Sequence, residues 1–322
     1  MQRINWLDCW KGIGILTVVL GHIVDPIHKY VFWFHMPIFF FISGYLYRNK
    51  YSNFVYLRKK IISLLLPYFS FLILFSTIYP FLYPQNSTSI GWLKYIYYQL
   101  YGGVYLMGWF GVFWFITCLF FTQQLYDFIF KRVKANDWQM LKVIIVCYSL
   151  AMLNLWFLKF KFPLGINVLA FAIIFYWLGN ITARKSIKLN LIPVIVAIII
   201  FATAVVADIF GFINFNFDMK YTQYGIIGLN IVLPLTGIVI TQKLAEAIQS
   251  TFIGNVFAYL GKISMVVMYI HQPVQLLLND FLISNKLIRV VVAIGFSCII
   301  YEVISRSWFT RKMLLGEGTV MR

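Results

Sequence analysis

The chain has 322 residues, of which 61% are hydrophobic and only 11% are charged. An ordinary soluble domain carries about 25% charged residues, so a water-soluble protein of this length is excluded. Apolar runs such as residues 189–207 approach the roughly 20 residues that cross a bilayer as a helix. These runs contain proline and lack strict alternation, which argues against a transmembrane β-barrel. The composition predicts an all-α, polytopic integral membrane protein.

The net charge is +17, from 27 Lys and Arg against 10 Asp and Glu. In a soluble protein this excess would suggest a nucleic-acid partner, but in a membrane protein basic residues collect in cytoplasmic loops. We therefore expect contact with membrane lipid and no nucleic acid. The four cysteines stand singly, without metal-ligand spacing, and no zinc signature is present, so no metal is expected.

Apolar stretches bounded by polar or basic clusters predict about ten membrane spans in a single domain over residues 1–322. In chain order they are residues 6–25, 31–47, 61–82, 109–130, 141–158, 167–182, 190–210, 225–242, 262–281 and 288–306. Residues 83–108, rich in Tyr and Gly, are predicted to form an interfacial or re-entrant piece. Because the chain ends soon after the tenth span, no appended extracytoplasmic domain is expected.

The basic residues predict the orientation. Nineteen Lys and Arg residues fall in one alternating set of loops and seven fall in the other. Cytoplasmic loops carry the excess of basic residues, so the richer set is predicted to be cytoplasmic. Both termini belong to that set, which requires an even number of spans.

A polar stripe marks the predicted first span. Titratable groups inside a span are costly and are therefore candidate functional residues. Lys11 and His22 are eleven residues apart, so on a helix they share a face and stand about 16 Å apart along the axis. Asp8 lies three residues before Lys11, and Asp25 lies three residues after His22, on that same face. The alternative is that Asp8 and Lys11 form an interfacial ion pair and His22 only caps the outer end.

The first span and the segment FHMPIFFFISGYLY (residues 34–47) together resemble membrane acyltransferase family 3, especially its fucose 4-O-acetylase-like branch. The residues that match the family's patterns are Asp8, Lys11, Gly12 and His22 in the first span, His35, Met36, Pro37, Phe40, Ser43 and Gly44 in the second, the Trp114-Phe115 pair, and Ser264, Tyr269, His271 and Pro273 within residues 261–274. The family often has two arginines, three residues apart, before its third span. Lys60 and Ser63 stand there instead, and Arg58 and Lys59 are the nearest substitutes.

The resemblance implies an O-acetyltransferase of the bacterial inner membrane. Its donor would be acetyl-CoA, used from the cytoplasm as a co-substrate, and its acceptor a hydroxyl of a surface-polysaccharide sugar or of a lipid-linked precursor. His22 is the candidate general base or transient acyl carrier, and either Asp25 or Asp8 is the candidate to orient it. Lys11 has three possible roles: binding a CoA phosphate, stabilising the oxyanion, or pairing with Asp8.

The remaining candidates follow from the same motifs. His35 is expected to face His22 across a short connection and to act with it. The basic residues Arg58, Lys59 and Lys60 suit CoA phosphates, although ordinary topology and anionic lipid explain them as well. Substrate contacts are assigned to three residues, of which the last has an equally good packing interpretation: Trp114, Tyr269 and His271.

Proteins of other classes also fit parts of the pattern. The main alternative is a transporter or flippase for a lipid-linked glycan, which also has about ten aromatic-rich spans. Transporters commonly show repeats between their halves, and none is found here. A polysaccharide polymerase usually needs a large outer loop, and the longest candidate is only residues 83–108. Nothing in the polar stripe excludes a sensory or structural membrane protein.

Overall fold

The structure is a computed structural model that describes residues 5–83, 89–281 and 283–317. Within these ranges the helices are α1 (Asn5–Ile23), α2 (Asp25–Phe32), α3 (His35–Tyr45), α4 (Asn53–Lys60), α5 (Leu66–Leu82), α6 (Ser89–Tyr101), α7 (Trp114–Arg132), α8 (Asp137–Leu153), α9 (Ile166–Arg184), α10 (Leu191–Ile209), α11 (Leu229–Ile248), α12 (Phe252–Lys262), α13 (Ser264–Asp280), α14 (Lys286–Ser305) and α15 (Trp308–Leu315). Two short antiparallel strands, β1 (Phe217–Asp218) and β2 (Gln223–Tyr224), form a hairpin with Phe217 opposite Tyr224.

Seven helical segments of the described chain are long and apolar enough to cross a membrane: Asn53–Leu82, Gly108–Arg132, Asp137–Leu158, Pro163–Arg184, Leu191–Ile209, Leu229–Ile248 and Lys286–Ser305. Each overlaps one predicted span. The pair α12 and α13 adds an eighth if it is counted as one span, although its helices meet at an angle of 80°. The protein is therefore an all-α polytopic membrane protein, as predicted.

The first predicted span ends earlier than expected. α1 stops at Ile23, Val24 takes an extended conformation (φ −111°, ψ 95°), and α2 begins at Asp25 with Pro26 in its first turn. Proline has no backbone N–H, so it suits the first turn of a new helix and not the interior of a continuing one. The prediction of one span over residues 6–25 is corrected accordingly, and Asp25 leaves the face of α1.

The second and ninth predicted spans also differ from continuous helices. Of residues 31–47 only α3 is one uninterrupted helix, and its 11 residues extend about 16 Å, against about 30 Å for the hydrocarbon core. Residues 262–281 form α13 alone, because the chain bends sharply at Ile263 after α12. The predicted interfacial or re-entrant piece over residues 83–108 includes residues 84–88, which lie outside the described residues. In the described part, α6 has 13 residues and is likewise too short to span.

Contacts between helix ends divide the loops into two sides, and the division reproduces the two loop sets predicted from the basic residues. The contacts on the first side are Lys131–Asn53, Arg184–Asp137 and Asn5–Gln249, and those on the second side are Lys29–Asp208, Lys286–Asp25 and Tyr83–Asp280. The names first side and second side refer to these contacts below.

Glycines let four helices approach until their backbones touch. A Cβ atom on Gly12 of α1 would lie 1.9 Å from the carbonyl oxygen of Phe257 in α12, and one on Gly179 of α9 would lie 2.0 Å from that of Phe41 in α3. Small residues drive such close packing in membranes, where water exclusion gives no force between helices. The α1–α12 and α3–α9 contacts thereby fix the helices that carry Lys11 and His35.

We expect Gly179→Ala to lower the free energy of unfolding by about 1–3 kcal/mol, because the added methyl group forces α3 and α9 apart. Thermal unfolding of the detergent-solubilised protein measures this loss. Gly295→Ala in α14 is the matched control, since nothing lies within 4 Å of its added Cβ. An unchanged melting temperature for Gly179→Ala would contradict the close α3–α9 contact.

Candidate active site

A cavity of about 700 Å³ extends between the two sides of the bundle. Its wall includes Lys11 and Lys262 toward the first side and His28 and Lys220 toward the second side. The cavity follows α1, whose residues 11 to 22 span about 16 Å along the helix axis. The structure therefore places Lys11 and His22, the two inner residues of the predicted polar stripe, on the wall of one internal space.

The wall near the first side is basic. Lys11 donates a hydrogen bond to Asp8 at 3.1 Å, which confirms the predicted contact between these residues. Lys262 is exposed at the end of α12, next to the bend. Gln123 of α7 donates from Nε2 to the Oγ of Ser43 at 2.6 Å. Two lysines and two polar side chains thus surround this end of the cavity.

The middle of the cavity is apolar. It is lined by aliphatic, aromatic and methionine side chains from several helices, among them Ile15, Val18, Phe39, Ile116, Met265 and Met268. Such a wall accepts an extended apolar chain and offers little to hold a charged group. Charged parts of a ligand are therefore confined to the two ends.

Three histidines meet toward the second side. The ring of His22 lies 5.5 Å from that of His271 and 6.4 Å from that of His35, measured between centroids. His271 Nδ1 contacts the carbonyl oxygen of Val267 at 2.8 Å, and His35 Nδ1 contacts that of Val31 at 3.1 Å. A carbonyl oxygen only accepts, so Nδ1 carries the proton in both rings, and in the neutral rings Nε2 keeps its lone pair.

This cluster has the properties of a proton-accepting site. Nε2 of His271 is buried and has no hydrogen-bond partner within the described residues, while His22 is partly exposed on the cavity wall. An imidazole nitrogen that is free to accept a proton beside a cavity is the group that general-base chemistry needs. In the described ranges no three His, Cys, Asp or Glu side chains are close enough to share a metal ion.

The predicted carboxylate partners of His22 lie elsewhere. Asp25 forms an ion pair with Lys286 at the start of α14, and its side chain is 83% exposed. The break at Val24 turns it away from the α1 face, so the predicted pairing with His22 is corrected. Asp8 is engaged by Lys11, some four helical turns from His22. The backbone carbonyls beside His35 and His271 fix those two rings instead.

The basic cluster lies outside the cavity wall. Arg58 and Lys59 are exposed on α4, and Lys59 Nζ lies 3.5 Å from the centroid of the Tyr51 ring. Lys60 is half-buried and precedes by one turn Leu64, which does line the cavity. The cluster therefore stands on the first side, close to the wall without forming it.

The predicted substrate residues have separate positions. Trp114, at the start of α7, lines the cavity. His271 is fully buried beside His22. Tyr269 is fully buried between Phe71 and Phe113, with ring centroids 4.5 and 4.8 Å away, and does not reach the cavity wall. Tyr269 thus lies within the packed bundle, and its assignment as a substrate residue stays a prediction.

The sequence pattern does not indicate several residues of the cavity wall. Lys262 lies within the motif that contains Ser264, but nothing in the motif marks it as a site residue. Asp218 and Lys220 lie between two predicted spans, in a segment predicted only as a loop. Burial lowers the pKa of Lys220 to about 8 and raises the pKa of Asp218 above its usual value. No sequence signal identifies these hairpin residues, because they reach the cavity only through the packing of the hairpin.

A second cavity of about 170 Å³ adjoins the hairpin on the second side. Its wall includes Lys159, Lys161, Asn167 and Thr222, together with Tyr221, which lines both cavities. Oδ1 of Asn167 is buried there without a hydrogen-bond partner among the residues described. Tyr221 of the hairpin connection thus forms part of the wall of both cavities.

Residues 4–305 match the family model described as Acyltransferase domain. Searches of the curated proteins and of the solved structures gave no match. The matched range covers α1, all three clustered histidines and the hairpin.

Proposed function

Because the chain belongs to membrane acyltransferase family 3, we propose that it is an O-acetyltransferase of the bacterial inner membrane. It moves the acetyl group of acetyl-CoA to a hydroxyl of a surface-polysaccharide sugar or of its lipid-linked precursor. The observation that carries this proposal is the cavity, which joins a basic end at Lys11 to a histidine cluster at His22.

In this proposal the first side faces the cytoplasm and receives the donor. CoA is a polyanion, and the ammonium groups of Lys11 and Lys262 attract its phosphates. Asp8 holds the Lys11 side chain in place at 3.1 Å. Arg58, Lys59 and their neighbour Lys60 extend the same positive surface outside the cavity.

The pantetheine arm of CoA is a long, weakly polar chain that ends in the thioester. The apolar middle of the cavity suits this chain, and the stretch of about 16 Å between Lys11 and His22 is the distance that the arm has to cover. The phosphates stay at the basic end while the thioester reaches the histidines. The reacting carbonyl then lies away from cytoplasmic water, which limits its hydrolysis.

The transfer needs a base because a sugar hydroxyl is a poor nucleophile. Nε2 of a neutral histidine takes the hydroxyl proton while the sugar oxygen attacks the thioester carbon. The new C–O bond forms, the C–S bond breaks, and the CoA thiolate leaves and takes up the proton. His22 is the proposed base, with His35 and His271 beside it. In the alternative route His22 first carries the acetyl group and then passes it to the sugar.

Sided membrane vesicles test the proposal. Inverted vesicles expose the cytoplasmic face, so radiolabelled acetyl-CoA in the medium is expected to label de-O-acetylated polysaccharide fragments trapped inside. Right-side-out vesicles given the same external label are expected to transfer nothing until detergent opens them. Vesicles without the protein are the control for both orientations.

Absence of transfer in both orientations, with intact protein and an acetyl-free acceptor, would contradict the proposal. A flux assay with lipid-linked glycan in the same vesicles would then test the transporter alternative.

A further inference from the structure

We propose that the hairpin residues Asp218, Lys220 and Tyr221 form the subsite that recognises the acceptor, and that they bind a sugar ring through two adjacent hydroxyl groups. This inference rests on the proposed function and names the substrate feature that the site selects. All three side chains line the main cavity, toward the side where the histidines meet.

The hairpin is held firmly enough to present a binding site. Phe217 and Tyr224, its register partners, are 2% and 1% exposed, and Tyr224 stacks on Phe171 of α9 with centroids 4.0 Å apart. Trp33 donates from its indole N–H to the carbonyl of Phe215, just before β1, at 3.1 Å. The hairpin is therefore part of the packed bundle.

The polar groups of the hairpin leave bonding capacity unused. The Lys220 ammonium has three N–H donors and gives one to the carbonyl of Leu106. Asp218 Oδ1 accepts the backbone N–H of Lys220 at 2.9 Å, and the carboxylate also accepts the backbone N–H of Tyr221. A carboxylate has about four acceptor positions. Burying such groups costs free energy unless a ligand or neighbour satisfies them. Donors and acceptors thus stand next to each other on the wall.

A vicinal diol fits this combination. Each hydroxyl both donates and accepts, so one can donate to Asp218 while its neighbour accepts from Lys220. The aromatic ring of Tyr221, 5.3 Å from Lys220 Nζ, offers an apolar face to the C–H groups of a sugar. A phosphate would use only the donors of this pair and would leave the acceptor positions of the Asp218 carboxylate unsatisfied, whereas the Asp8 carboxylate is already paired with Lys11. The hairpin therefore suits the sugar, whereas the lysine pair near the first side suits the CoA phosphates.

The experiment measures acetyl transfer by the full-length protein in lipid nanodiscs with two acceptors. One is the de-O-acetylated polysaccharide fragment of the host, and the other is the same fragment after periodate oxidation and reduction, which destroys vicinal diols. For Lys220→Met and Asp218→Asn we expect the KM for the intact fragment to rise about tenfold or more, because each variant loses one charge-assisted hydrogen bond to the sugar. The KM for acetyl-CoA is expected to stay unchanged.

Three further variants test the assignment. Lys220→Arg keeps the positive charge and is expected to retain much of the wild-type affinity for the intact fragment. Lys286→Met removes another lysine on the second side, one paired with Asp25 outside the cavity, and is expected to behave as wild type. Tyr221→Ala is the substitute if a variant of a charged residue fails to fold, because the Tyr221 side chain is 43% exposed. It is also expected to raise the KM for the acceptor.

The outcomes separate this inference from the proposed function. A wild-type protein that transfers no acetyl group to either fragment overturns the proposed function itself. Wild-type transfer with an unchanged acceptor KM in the hairpin variants overturns the subsite alone, as does a raised KM for acetyl-CoA. Equal use of the periodate-treated fragment by the wild type overturns the diol assignment.

Discussion

His22→Ala is expected to lose acetyl transfer to the acceptor while the protein still inserts into the membrane and folds. His22 lies on the cavity wall, with the rings of His271 and His35 at 5.5 and 6.4 Å. A positioned general base contributes about 10²–10⁴-fold to a rate, so at least that loss is expected. Radiolabelled acetyl-CoA and glycan extract, incubated with membranes that carry each variant, measure it.

Thr17→Ala is the matched control on the same helix, because the Thr17 hydroxyl donates to the carbonyl of Gly14 within α1 and Thr17 is not among the described residues that line the cavity. Incubation with acetyl-CoA but no acceptor distinguishes the two proposed routes. Label that stays on wild-type protein but not on His22→Ala indicates an acyl carrier, and no label on either indicates a base. Full transfer by His22→Ala would move the catalytic assignment to His35 or His271.

Met265→Trp is expected to reduce acetyl transfer to background while the protein stays folded. Met265 lines the apolar part of the cavity and lies about 9 Å along α13 from His271, toward the first side. A bulky indole at this position fills the space through which the pantetheine arm has to pass. The same membrane assay measures transfer, and binding of acetyl-CoA at the basic end is expected to remain.

Ile299→Trp adds the same bulk to α14, where Ile299 is 61% exposed on the outside of the bundle. It is expected to retain wild-type transfer, which controls for the cost of a new tryptophan in the membrane. Wild-type transfer by Met265→Trp would show that the acetyl group does not travel along this part of the cavity.

Properties that depend on neighbouring residues along the chain follow directly from the amino-acid sequence. The lengths of the apolar stretches predict the seven spanning segments. A helix rises about 1.5 Å per residue, so about 20 apolar residues cross the hydrocarbon core. The same regular rise places Lys11 and His22 on one face of α1. The basic residues predict two loop sets, which the helix-end contacts then reproduce. The hydrogen bond between Lys11 and Asp8 was predictable for the same reason, since the two residues are three positions apart.

The contacts between residues far apart in the sequence become visible only in the folded bundle. His271 joins His22 because α13 turns by 80° after α12 and packs beside α1, and hydrophobicity does not encode that angle. Asp25 pairs with Lys286 because the helix breaks at Val24. Lys220 reaches the cavity because Phe217 and Tyr224 bury the hairpin against the bundle. Such contacts depend on which helix surfaces pack together. The packing is set by the combined free energy of many side chains that lie far apart in the sequence, so no local pattern predicts it.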